Sequence, residues 1–164
     1  MMTTRAYLDI ETTGLSRRYG EITVIGIARE VGSGCRVAAL VEDGVSEAKL
    51  LAALKGVDRV YTYNGNRFDL PFIKARLGVD LRCAFRHTDL MYACWKQDLK
   101  GGLKAVERKL RIGRATKGID GFMAVRLWWD YKNHGNQRAL QRLLDYNRED
   151  VVNLRLLREK LQVA

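Results

Sequence analysis

The chain has few of the residues that break or staple a fold: one proline, three cysteines and two histidines among 164 residues. A single proline, Pro71, leaves no proline-rich linker, and no repeat or low-complexity stretch divides the chain. Cys35, Cys83 and Cys94 are an odd, widely spaced set without a C-x-x-C pair. They argue against a disulfide framework and a zinc site, fit a reducing cytoplasm, and read as buried small hydrophobes. No apolar run approaches the roughly 20 residues of a membrane span. The N-terminus, MMTTRAYLDI, lacks the apolar core of a secretory signal. What is present is an ordinary globular composition, 47% hydrophobic. The expectation is one cytoplasmic domain over residues 1–164, long enough to bury a core, with no membrane association.

Negative charge is also scarce, and unevenly so. The formal net charge is +10. Residues 1–82 carry 12 Lys+Arg against 10 Asp+Glu, a net of +2, and residues 83–164 carry 17 against 9, a net of +8. A basic half suggests a polyanionic partner, most simply nucleic acid.

Period-2 alternation marks RAYLDIE (5–11), EITVIGIARE (21–30) and CRVAALVE (35–42) as strands, the last two joined by a GSG turn. SEAKLLAALKG predicts a helix with Ser46 as N-cap and Gly56 at its end. VDRVYTYN (57–64) is a fourth strand. DLPFIKARLG (69–78) is a helix, with Asp69 as a possible N-cap, Pro71 in its first turn and Gly78 at its end. CAFRHTDL (83–90) is a fifth strand or extended segment, and the remainder is helical over 89–98, 102–111, 119–132 and 137–161. A three-strand meander followed by strands alternating with helices predicts an α/β chain with a mixed sheet.

Within the first strand, Asp9 and Glu11 stand two residues apart, so they share a face of an otherwise apolar strand. Unpaired charge there is unfavourable by several kcal/mol, or is neutralised by a shifted pKa. Asp150 falls inside the apolar arc of the last helix, Leu140, Leu143, Leu144, Val151, Leu154, Leu157 and Leu161, with Tyr146 four residues earlier at its edge. Its neighbours Asp145 and Glu149 fall outside the arc and read as solvated. Asp69 opens a helix just past a strand end. Four acids against apolar surfaces repel one another, and hard divalent cations such as Mg2+ and Mn2+ relieve that repulsion. Together with the basic surface, the residue types point to a metal-dependent enzyme acting on phosphodiesters.

Three motifs carry a resemblance. DIETTGL (9–15), NGNRFD (64–69) and YNRED (146–150) resemble, in order, the three exonuclease motifs of the DEDD superfamily. Tyr146 stands four residues before Asp150, as in the tyrosine subclass (DEDDy), and Asp145 occupies the position where the histidine subclass has His. The chain most resembles the bacterial predicted exonucleases with a ribonuclease H-like fold and, more distantly, the proofreading domains of DNA polymerases. The resemblance implies a ribonuclease H-like domain: a central mixed five-stranded sheet, an antiparallel meander plus parallel strands, flanked by helices, with a helical C-terminal part. It implies a 3′→5′ exonuclease releasing nucleoside 5′-monophosphates from DNA or RNA 3′ ends with two divalent cations. Asp9, Glu11, Asp69 and Asp150 would hold the ions, and Tyr146 would orient the attacking water. Thr12, Thr13, Gly14, Leu15, Asn64 and Phe68 would grip the terminal nucleotide, with Leu15 alternatively an ordinary loop hydrophobe and Phe68 alternatively core.

Other features have two readings. LKGGLKAVERKLRIGRATKG (99–118) holds seven Lys+Arg and one acid. Lys104, Arg108 and Arg111 line one helical face that suits a phosphate backbone or plain solvation; Arg17 and Arg18 are similar candidates. In FMAVRLWWDY (122–131), Phe122, Val125 and Trp129 share a face and are expected in the core. Asp89 is expected to cap the helix after it, with a supporting place near the metal site as the other reading. His87 reads as structural and His134 as a loop residue. Competing functions are a ribonuclease H-like endonuclease on hybrids or structured DNA, a non-catalytic nucleic-acid-binding module, and an exonuclease subunit dependent on a partner protein.

Overall fold

The computed structural model describes residues 4–164. Five strands form one sheet: β1 (Arg5–Thr12), β2 (Ile22–Val31), β3 (Gly34–Val41), β4 (Arg59–Thr62) and β5 (Arg86–Asp89). Their spatial order is β3-β2-β1-β4-β5. The first three make an antiparallel meander, and β4 and β5 continue it in parallel with β1. An antiparallel meander extended on one side by parallel strands is the mixed five-stranded sheet that the motifs imply. The turn between β2 and β3 is tight because Gly32 accepts a positive φ of 57°.

Among the described residues seven α-helices accompany the sheet: α1 (Glu47–Ala53), α2 (Asp69–Leu77), α3 (Leu81–Ala84), α4 (Leu90–Lys96), α5 (Leu103–Leu110), α6 (Gly121–His134) and α7 (Gln137–Leu161). Ser46 caps α1 through the Lys49 N–H, and Gly78 ends α2 in the left-handed region at φ 77°. None of the described helices is long and apolar enough to cross a membrane.

Alternation along β1 divides the core. Ala6, Leu8 and Ile10 face Leu50, Leu54, Leu70, Phe72 and Ile73 of the α1–α2 side. Tyr7 faces the other side, where Tyr61, Leu90, Cys94, Val106, Val151, Leu154 and Leu157 form a second cluster beneath α4, α5 and α7. A third cluster, with Val24, Leu127, Trp128, Leu143 and Tyr146, fixes α6 against α7. Asp9 and Glu11 therefore project from the Tyr7 face of β1, toward α7.

Several expectations are corrected. Only Cys94 is buried; Cys35 is partly so and Cys83 is exposed, and all three are free thiols. On α6 the inward face is Ala124, Leu127 and Trp128, and Phe122 and Trp129 point outward at 76% and 43% exposure. Two apolar faces compete on this helix, and packing on α7 buries the one with Ala124, Leu127 and Trp128. His134 is the last residue of α6, beside Asp130, rather than a loop residue. His87 meets Thr62 Oγ1 at 2.9 Å, a structural role as expected.

Candidate active site

Asp9, Glu11 and Asp150 converge. Each offers a carboxylate oxygen, and these oxygens lie within 4.8 Å of one another. Two come from one face of β1 and the third from the inward arc of α7, a helix held across the sheet by Val151, Leu154 and Leu157. Asp69 lines the same cavity at the head of α2. It does not cap that helix: Phe68 is the residue before the first turn and makes no capping bond, and Asp69 Oδ1 instead accepts the Ile10 N–H at 3.0 Å. The parallel alignment of β4 with β1 brings the start of α2 to the exit of β1.

The acids are energetically exposed to one another. Burial holds the carboxyls of Asp9 and Glu11 well above the ordinary range, and repulsion from Asp150 and Asp69 adds to it. Burial raises Asp69 to about 7, opposed by the Ile10 N–H, and raises Asp150 to about 6, opposed by Arg114. Four clustered acids with hard oxygen donors and too little neighbouring positive charge suit divalent cations, which bind carboxylate oxygen. The donor set fits Mg2+ or Mn2+.

Tyr146 lies one turn before Asp150 and lines the same cavity. Its hydroxyl accepts a hydrogen bond from Lys104 Nζ at 2.6 Å, and the ammonium sits 4.5 Å from the ring centroid. Burial and the surrounding acids push the phenol pKa upward, so Tyr146 stays protonated at neutral pH.

Thr12, Thr13, Gly14, Leu15, Asn64 and Phe68 all line this cavity, of about 570 Å3. Leu15 is 88% exposed. A Cβ added at Gly14 meets nothing within 4 Å, so the fold itself does not require glycine there. Lys104 reaches the site through Tyr146, whereas Arg108 is exposed and lines a neighbouring cavity of about 350 Å3 with Lys104 and Arg114. Arg17 and Arg18 are exposed in the β1–β2 loop, with Arg18 over the Tyr19 ring.

Four supporting residues escape sequence reasoning. Arg114 donates to Asp150 and to Glu107, the latter through Nε at 2.5 Å, and lies 3.8 Å from Glu149. Glu107, only 1% exposed, also accepts from Asn153 at 3.1 Å. Glu149, expected in solvent, instead accepts the N–H groups of Ala115 and Thr116 and the Thr116 hydroxyl, pinning the Arg114 loop to α7. Asn147 donates to Asp9 Oδ2 at 3.1 Å and fits against Gly26, where any Cβ would stand 2.0 Å from its Oδ1. The signal for Asn147 is a polar residue inside the α7 arc; Arg114 sits in an irregular basic loop that carries none. Asp89 caps α4 through the Met91 N–H, as expected, and also accepts the N–H groups of Asn64 and Asn66, fixing the loop that carries Asn64 at φ 60°.

A ribonuclease H-like sheet with a buried carboxylate cluster at the end of its central strand defines the class of protein. The match over residues 6–162 shows that the chain belongs to the RNase_H_2 family of the RNase_H superfamily. No curated protein matches it in sequence. Among solved structures it is similar to the family B DNA polymerase of the hyperthermophilic archaeon Pyrobaculum calidifontis, with 18% identity and a TM-score of 0.76 over 99% of this chain. The match covers 25% of that polymerase. Brucella melitensis NrnC bound to pGG is similar at 21% identity and a TM-score of 0.68, over 98% of this chain and 72% of NrnC. NrnC with bound Mg2+ is similar at 18% identity and a TM-score of 0.53, over 99% of this chain and 85% of NrnC. At these identities the likeness is one of fold.

Proposed function

We propose that the protein is a metal-dependent 3′→5′ exonuclease of the tyrosine subclass, hydrolysing phosphodiester bonds at nucleic-acid 3′ ends to release nucleoside 5′-monophosphates. The observation that carries this reading is the meeting of Asp9, Glu11 and Asp150 within 4.8 Å at the floor of the cavity that Asp69 and Tyr146 also line. The family, the Mg2+ in one similar structure and the pGG in another are consistent with it.

In this reading Asp9, Glu11 and Asp150 hold divalent cations, with Asp69 contributing from α2. Two such ions, when bound, would supply Lewis acidity for attack by water and departure of the 3′ oxygen. The chain's own residues do the rest. Asn147 and Arg114 hold the Asp9 and Asp150 carboxylates in place, and the Ile10 N–H holds Asp69. Because Lys104 already donates to the Tyr146 oxygen, the phenol's own proton is left to donate into the cleft. Tyr146 therefore orients an oxygen there and does not accept a proton. Thr12, Thr13, Gly14 and Leu15, beside the acids, receive the terminal nucleotide; the open space over Gly14 leaves room for close approach. The basic second half of the chain favours a polyanion.

The test is digestion of 5′-labelled single-stranded DNA and RNA with Mg2+ or Mn2+. A stepwise ladder of shortened products is expected. Absence of metal-dependent cleavage of any polymer by folded protein overturns the reading. Cleavage of a circular substrate assigns an endonuclease instead.

A further inference from the structure

We propose that the chain carries a second ligand site, a phosphate-binding cavity behind Tyr146. This cavity, of about 350 Å3, lies between α5 and the loop that follows it, apart from the acidic cleft. Lys104 and Arg108, one turn apart on α5, meet Arg114 and Lys117 of the loop there. Like charges at that helical spacing repel one another. The acid among them, Glu107, is already taken: both of its oxygens accept from Arg114, and one accepts from Asn153 as well. Among the described residues Lys104, Arg108 and Lys117 have no ion-pair partner, and Lys104 turns to the Tyr146 hydroxyl instead. Arg114 has a further donor free, since its Nη1 is buried without a hydrogen-bond partner. The catalytic cleft holds carboxylates short of cations; this cavity holds cations short of an anion.

A phosphate group suits it. Its oxygens accept from several donors at once, and the planar guanidinium of Arg108 matches their spacing. Ile112 and Ile119, both buried, add an apolar wall for the group to which the phosphate is attached. The loop is held in place. The Ile112 N–H returns to the Glu107 carbonyl at 2.9 Å, Asn153 donates to the Gly113 carbonyl at 3.2 Å, and Glu149 accepts the Ala115 and Thr116 N–H groups. Lys104 joins the two cavities, because it lines this one and donates to Tyr146, which lines the other. An anion bound here draws the ammonium away from the phenol. The site stands on this cavity alone, and its effect on turnover rests on the nuclease reading above. In that reading the required group has two sources: the released nucleoside 5′-monophosphate, and the backbone of the strand.

The test begins in EDTA, where the metal-free acidic cleft repels phosphate and binding reports the second cavity. Isotope-labelled protein is titrated by NMR with inorganic phosphate and with thymidine 5′-monophosphate, against chloride at matched ionic strength. Saturable shifts of the Ile112, Gly118 and Ile119 amides are expected with both. The double variant Arg108→Ala/Lys117→Ala is expected to weaken that binding about tenfold. A response no larger than that to chloride, or one that the folded double variant leaves unchanged, overturns the site. The source is read with Ca2+ in place of EDTA, the monophosphate as probe and a short single-stranded DNA as competitor. Displacement of the probe from these amides assigns the cavity to the strand's own backbone, and binding of both together assigns it to a separate monoester. In Mg2+ ladder kinetics the monophosphate is expected to lower kcat, because Tyr146 loses Lys104; a rise in KM alone overturns the link between the cavities. Phosphate binding without cleavage by wild type keeps the site and sinks the nuclease, and cleavage without phosphate binding does the reverse.

Discussion

Two polar clusters lie between β1 and α7, and their charge balance is opposite. At one, Glu30 accepts from Tyr7 at 2.5 Å and pairs with Arg158 at 3.1 Å and Arg5 at 3.3 Å. Those partners bring the Glu30 carboxyl below its ordinary range despite its partial burial. At the other, a roughly 12 Å step back along the helix, Asp150 joins Asp9, Glu11 and Asp69, and their carboxyls are raised. Tyr7 and Asp9 are two residues apart on the same face of the same strand. The difference is the count of cations: two arginines for one carboxylate in the first cluster, and chiefly Arg114, itself shared with Glu107, in the second. A buried charge cluster that closes on itself holds the helix down. One that does not close is strained without a further cation, which is the physical mark of a site.

That contrast can be broken by mutation. The largest expected effect is from Asp150→Asn or Asp9→Asn: activity falls by about three orders of magnitude in a ladder assay, while the melting temperature in EDTA rises because repulsion is relieved. A fall in both would place these acids with the structural cluster instead. Tyr146→Phe comes next, with kcat lowered about 10- to 100-fold and KM nearly unchanged; unaltered kinetics would remove it from the mechanism. Arg158→Met acts oppositely, destabilising by about 3 kcal/mol in urea unfolding with cleavage per folded molecule preserved. The smallest effect is in pH. A carboxyl whose folded pKa is raised binds its proton more tightly when folded, so the metal-free protein loses stability as pH climbs from about 4 toward the value of about 7 at Asp69. Thermal melts in EDTA should decline across that window, and added Mg2+ should abolish the decline. A flat or rising profile contradicts the raised carboxyls.

Legibility in the sequence followed the strength of local signals. The strand alternation and the apolar arc of α7 were enough to put Asp9, Glu11 and Asp150 on inward faces, though not to show that they meet, and the meander-then-crossover order to anticipate the mixed sheet. Asp69 was readable as a helix-start acid, but its partner, the Ile10 N–H, is 59 residues away, and only the β1–β4 alignment brings the two together. Arg114 and Glu107 were hidden for the same reason. A basic loop and a charged helix look solvated until α5 docks on α7. On α6, the sequence offers two apolar faces, and tertiary packing alone decides that Phe122 is left outside.

Gly26 turns the absence of one side chain into a lock. It pairs with Asp9 across β1 and β2. The notch it leaves is filled by the Asn147 amide, which would stand 2.0 Å from any Cβ placed there. A single methyl at position 26 would force the Asn147 side chain to move, and with it the amide that steadies Asp9. The geometry proposed for catalysis thus depends on a hydrogen atom on a neighbouring strand. A chain with the same carboxylates but alanine at that place should keep its sheet and lose its chemistry.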